Sequence, residues 1–156
     1  PTRRSSDLAG PCLFALLMGS SRLLYAKMSE RISLPKMMLS SGILCIVSYL
    51  LAALSPNPVL ALLGCGLCGF SVGVFWPGTF SMAAASCPKG GTALFALLAL
   101  AGDLGCSSGP GVVGVVSGAF SENLKAGLLA AIVFPVLLII GLQLLKEGSR
   151  ERGEVR

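Results

Sequence analysis

The chain has 156 residues, 54% of them hydrophobic and 12% charged, with a formal net charge of +5. No charged residue falls between Lys36 and Lys89, a stretch that a soluble domain of this size would have to interrupt with polar surface. This excludes an ordinary soluble domain and leaves a polytopic α-helical membrane protein, because each span in lipid must satisfy its own backbone hydrogen bonds; the apolar runs lack the alternation of a β-barrel.

The chain opens on Pro1, and PTRRSSDL has neither helical periodicity nor a signal-peptide core. Residues 1–8 are therefore expected to be a non-native leader, with a genuine polar loop as the alternative. Five predicted spans follow, at about 9–29, 35–54, 58–86, 91–119 and 125–145, each near or above the ~20 residues that cross a bilayer. Residues 147–156 read as a charged cytoplasmic tail. Orientation follows from Lys and Arg. With the tail inside, Lys27, Arg31, Lys36, Lys89, Lys146, Arg150, Arg152 and Arg156 lie on the cytoplasmic side. Only Lys125 then falls outside, apart from the leader's Arg3 and Arg4. The basic excess thus reflects topology, and no nucleic-acid partner is expected. The partners expected are the lipid bilayer of the plasma membrane and a small-molecule substrate.

The spans differ in kind. The second and fifth are mostly Leu, Ile, Ala, Val and Met, suited to lipid and neighbouring helices. The first, third and fourth carry the polar and helix-weakening residues, which should face protein or a cavity. In the third, Gly66, Gly69 and Gly73 thin the helix, and Pro77 frees a carbonyl one turn earlier and favours a kink. Trp76 sits just before that proline, deep in the span. Two readings stay open for it: packing or lipid contact, and a cavity wall. In the fourth, AGDLGCSSGPGVVG places Asp103, Cys106, Ser107, Pro110, Gly114 and Ser117 on one helix face. The small-xxx-small spacing that lets helices approach closely recurs there at Gly105–Gly109, Pro110–Gly114 and Gly114–Gly118, and Pro110 removes a backbone bond.

The six cysteines fall in or at the ends of apolar runs, where a thiol behaves as a small hydrophobe. The chain contains no histidine and no nucleophile–base pair, so neither an enzyme, a metal site nor a cofactor is expected.

This arrangement resembles the last five helices, eight to twelve, of the C-terminal half of a major facilitator superfamily transporter. GSSRLLYAKMSERISLPKMM is similar to that family's basic loop between helices eight and nine. Gly19, Arg22, Lys27 and Arg31 match it, while Ser29 or Glu30 stands where the family has Asp, which weakens the loop's charge relay. GDLGCSSGPGVVG looks like helix eleven, and GVFWPGTFSMA is similar to helix ten of the L-fucose permease-like branch. The resemblance implies a twelve-helix fold of two six-helix bundles rocking around a central site. Helices eight, ten and eleven would line that site, and nine and twelve would be peripheral. The missing N-terminal bundle would be a partner from the same chain. Trp76, Thr79, Asp103, Ser107 and Arg22 are the candidates for a substrate or proton pathway. Asp103 can accept bonds from hydroxyls or carry a coupling proton, and Arg22 can pair with it or snorkel outward. The structural alternative for Asp103 is a hydrogen-bonded acid joining helices. The alternative for the whole chain is a small non-transporting scaffold or assembly subunit that binds partner helices through its Gly-rich faces. On either reading, the glycine faces of the third and fourth spans are expected to seek a partner.

Overall fold

The computed structural model describes residues 8–28, 31–121 and 123–154. The predicted leader, Leu8 excepted, lies outside these residues, as do Ser29 and Glu30. Among the described residues seven helices occur in chain order: α1 (Ala9–Met28), α2 (Leu34–Leu54), α3 (Pro58–Val72), α4 (Phe75–Ser86), α5 (Gly91–Ala119), α6 (Leu124–Ala130) and α7 (Val133–Glu154). They form five segments long and apolar enough to cross a membrane: α1, α2, α3 with α4, α5, and α6 with α7 as far as Lys146. The α7 helix itself continues to Glu154, beyond the membrane-length segment and through most of the predicted tail.

The third and fifth predicted spans are each two helices. Both breaks have the same cause. Pro77 cannot donate to the carbonyl of Gly73, and Pro135 cannot donate to that of Ala131. The turns fall at residues 73–74 and 131–132. Helical bonding resumes beyond each proline, with Gly78 N donating to Val74 O at 2.8 Å and Val136 N to Ile132 O at 3.2 Å. Pro110, by contrast, lies inside an unbroken 29-residue helix.

Packing is inverted relative to a soluble domain. The most deeply buried side chains include Ser21, Ser41, Ser48 and Ser71, while Leu16, Leu23, Leu54, Leu97, Leu104 and Leu144 are exposed. The buried hydroxyls cost little because each is bonded. Ser21 donates to Met18 O, Ser48 to Leu44 O and Ser71 to Cys68 O at 2.7–2.9 Å, and Ser41 shares a bond with Tyr25 at 2.5 Å. Small residues let backbones approach, and lipid covers the leucines. Glycines set the closest approaches. A Cβ on Gly69 would meet the backbone of Phe14 in α1, and one on Gly64 would lie 3.0 Å from Ser48 O in α2.

The second span, which the resemblance makes peripheral in a twelve-helix fold, is well packed within this chain. The α2 helix packs against α3, α4, α6 and α7, while α1 packs against α3. Ser41, Gly42, Cys45 and Ser48 form a small stripe on α2, and all four are buried. The expectation that the third span's glycine face is open is corrected for the same reason: Gly66, Gly69 and Gly73 are buried against α1. The fourth span fits the expectation. No residue of α5 is fully buried, and nothing lies within 4 Å of a Cβ built on Gly105, Gly109, Gly111, Gly114 or Gly118.

Local signals set the helix ends. Asn57 caps α3, its Oδ1 accepting from Val59 N at 2.9 Å, and Pro58 occupies the first turn, where its missing N–H costs nothing. Gly91, with φ of +53°, allows the turn from α4 into α5. Asn57→Ala is expected to lower stability by about 1 kcal/mol, read from the unfolding midpoint in detergent; an unchanged midpoint would mean water caps the helix equally well.

Candidate substrate site

Trp76 is the centre of the candidate site. The break at residues 73–74 and the ring of Pro77 place it at the start of α4. Its benzo edge, Cζ3 and Cη2, rests against Gly102 of α5, where no side chain would fit. Asp103 is the next residue, so the indole and the only intramembrane acid come from two spans that meet here. Trp76 stacks obliquely on Phe80 at 4.6 Å between ring centroids, and Phe80 lies nearly parallel to Phe95 at 5.6 Å. This aromatic row joins α4 to α5, two helices with few other contacts. Trp76 is still 49% exposed. It is both a packing residue at one edge and a wall residue over the rest, which unites the two readings left open by the sequence.

On its other side Trp76 lines a cleft of about 360 Å³ between α1, α2 and α4. Arg22, Tyr25, Met37, Pro77 and Ser81 share that wall. Arg22 and Trp76 are therefore brought together. Arg22 and Asp103 are not: among the described residues no ion pair joins them, and α5 packs on α4 and α6 instead. Tyr25 is fixed at the back of the cleft by its bond to Ser41 and by Phe70, 6.0 Å away between ring centroids.

Thr79 lies one turn beyond Trp76 and lines a different cavity, about 610 Å³ in volume and mostly apolar, with Met82, Leu98 and Leu138. Its hydroxyl donates to Phe75 O at 2.7 Å. Ser107 likewise donates to Asp103 O at 2.9 Å. Both hydroxyls are thus committed to their own helix as donors and keep only acceptor capacity toward a solute. Asp103, Cys106, Ser107, Pro110 and Gly114 are exposed along α5. Only the far end of this face is covered, where Gly127 of α6 packs on Ser117 and the carbonyl of Val113.

Gly102, Phe80, Phe95 and Ser81 were not singled out from sequence as site residues. The signal for the aromatic pair was present in the i, i+4 spacing of Trp76 and Phe80. Phe95 and Ser81 carry no such signal, since their roles depend on how α4 meets its neighbours. All six cysteines are free thiols. Among the described residues no group of three His, Cys, Asp or Glu side chains could hold a metal ion.

Five membrane-length helical segments among the described residues, with leucines outward, serines inward and a cleft lined by Arg22, Tyr25 and Trp76, define a multi-pass helical membrane protein. The profile of the Major Facilitator Superfamily matches residues 10–155, and the chain belongs to that family of membrane transporters. It matches no curated protein and no solved structure.

Proposed function

We propose that these spans are helices eight to twelve, the C-terminal part, of a secondary transporter in the L-fucose permease-like branch. It moves a sugar or related small polar metabolite across the plasma membrane, with the C-terminus cytoplasmic. Alternating access exposes Trp76 and the Asp103 face to each side in turn. One observation carries this reading: the Trp76 ring rests on Gly102 beside Asp103, so the broken third span and the glycine-rich fourth meet at an aromatic wall next to an acid. A tryptophan face suits the C–H side of a sugar, and a carboxylate within a span can accept bonds from hydroxyls or carry the coupling proton. The open glycine face of α5 supports a complementary bundle as its cover.

That same open face supports a second reading, a non-transporting scaffold that binds partner helices there. Uptake separates the two. In proteoliposomes carrying the protein with its complementary helices, an acid-outside pH gradient is expected to drive accumulation of a labelled sugar. Asp103→Asn should reduce that accumulation at least tenfold (about 1.4 kcal/mol or more). Equal uptake and equal pH dependence in the variant would remove the coupling role. If no sugar in a labelled panel is taken up while the protein co-purifies with a partner span, the scaffold reading stands.

A further inference from the structure

Outside the first and last turns of the described spans, the chain carries two charged side chains, Asp103 and Arg22. Arg22 lies six residues before the end of α1 at Met28, roughly 9 Å along the helix at 1.5 Å per residue. A guanidinium at that depth is expensive unless water or an anion meets it. Among the described residues no carboxylate does so. It stands instead on the lining of the 360 Å³ cleft, which Trp76 and Pro77 also line. That volume falls in the range of pockets that hold one small molecule, roughly 300–1,000 Å³.

The cleft's other polar groups are unevenly disposed. The hydroxyls of Ser48, Ser71, Thr79, Ser107 and Ser117 are committed to carbonyls of their own helices. Ser81 is not, although it sits in mid-helix one residue pair beyond Thr79. The Tyr25 hydroxyl is already engaged with Ser41. The cleft therefore holds a cationic donor and an uncommitted hydroxyl, no anionic group among the described residues, and an apolar wall of Trp76 and Met37. A carboxylate satisfies a guanidinium fork with two parallel bonds, which a neutral hydroxyl cannot do.

We propose that this cleft takes a small organic carboxylate, with its acid group on Arg22 and Ser81 and its carbon body against Trp76. The proposal rests on the transporter reading and narrows its solute from a polar metabolite to an acidic one, such as a sugar acid.

Trp76 is the single tryptophan, so its emission reports the cleft directly. The chain in phosphatidylcholine nanodiscs is titrated with gluconate, glucuronate and lactate, and in parallel with glucose and gluconamide. At least one acid is expected to change Trp76 emission saturably, with its neutral counterpart at least tenfold weaker. Arg22→Gln should weaken the acid at least tenfold, Arg22→Lys less, and Ser81→Ala a few-fold. Circular dichroism confirms that the variants keep their helices, as exposed positions should. The proposal is overturned if the neutral compounds act as strongly as the acids, if none of the three acids changes the emission, or if Arg22→Gln binds as the parent does. A response to glucose alone would remove the acidic solute and leave the sugar-transport reading standing.

Discussion

Gly69→Ala is expected to destabilise the protein by about 1–3 kcal/mol, the range for forcing an extra carbon into a packed site. The new methyl would lie 2.9 Å from the Phe14 Cα and closer still to its carbonyl oxygen. A flexible side chain could swing aside from such a contact, but a backbone carbonyl cannot. Relief requires α1 to move off α3, which uncouples Gly66 and Gly73 from Leu17 and Ser21 as well. Gly105→Ala is the matched control on α5, where nothing lies within 4 Å of the added Cβ. There the only effect is the gain in helix propensity, about 0.5–1 kcal/mol in favour of alanine. The two variants should move the unfolding midpoint in detergent in opposite directions. A shift in the same direction for both would mean that α1 does not rest on α3 through Gly69.

Gly102→Val should dislodge the Trp76 ring and with it the junction between α4 and α5. The indole edge occupies the place where a Cβ would stand, and the aromatic row is the main bond between these helices. Two readouts follow. Trp76 emission should change, because the ring leaves its bed on α5. Uptake in the proteoliposome assay should fall at least tenfold, since a displacement of about 1 Å at a binding wall costs on the order of 100-fold in a positioned reaction. Gly105→Val, on the open part of the same helix, should leave the emission as it is. Unchanged emission in Gly102→Val would show that the ring does not depend on this contact.

The five spans were legible because an unbroken apolar run longer than a bilayer has one physical solution. The break at Pro77 was legible because glycines announce it. The break at Pro135 was not, since Val133-Phe134-Pro135 sits in a Leu- and Ile-rich run with nothing else to mark it. The central position of α2 was hidden for a related reason. Ser41, Gly42, Cys45 and Ser48 are few among leucines and isoleucines, and composition averages them away, although they share one helix face. Trp76, Arg22 and Asp103 stood out as polar or aromatic residues at depth. Which of them meet could not be read from periodicity, because that depends on the direction in which a broken helix re-enters. The structure puts Arg22 and Trp76 on the lining of one cleft and leaves Asp103 out of it, next in sequence to the Gly102 on which the ring rests.

The central place of α2 also bears on the order in which the protein assembles. Translation proceeds from the N-terminal side, so α2 enters the bilayer before α3, α4, α6 and α7, all of which dock on it. Each later helix meets a template already in place, and the α3 match to α2 is available after a connection of only three residues, Ser55 to Asn57. Such short-range pairing keeps loop-closure entropy low and favours fast insertion. The α5 helix alone gains little from that template. It enters the membrane as a lodger, held at one end by α6 and at mid-depth by one aromatic row, and so is the span freest to pivot.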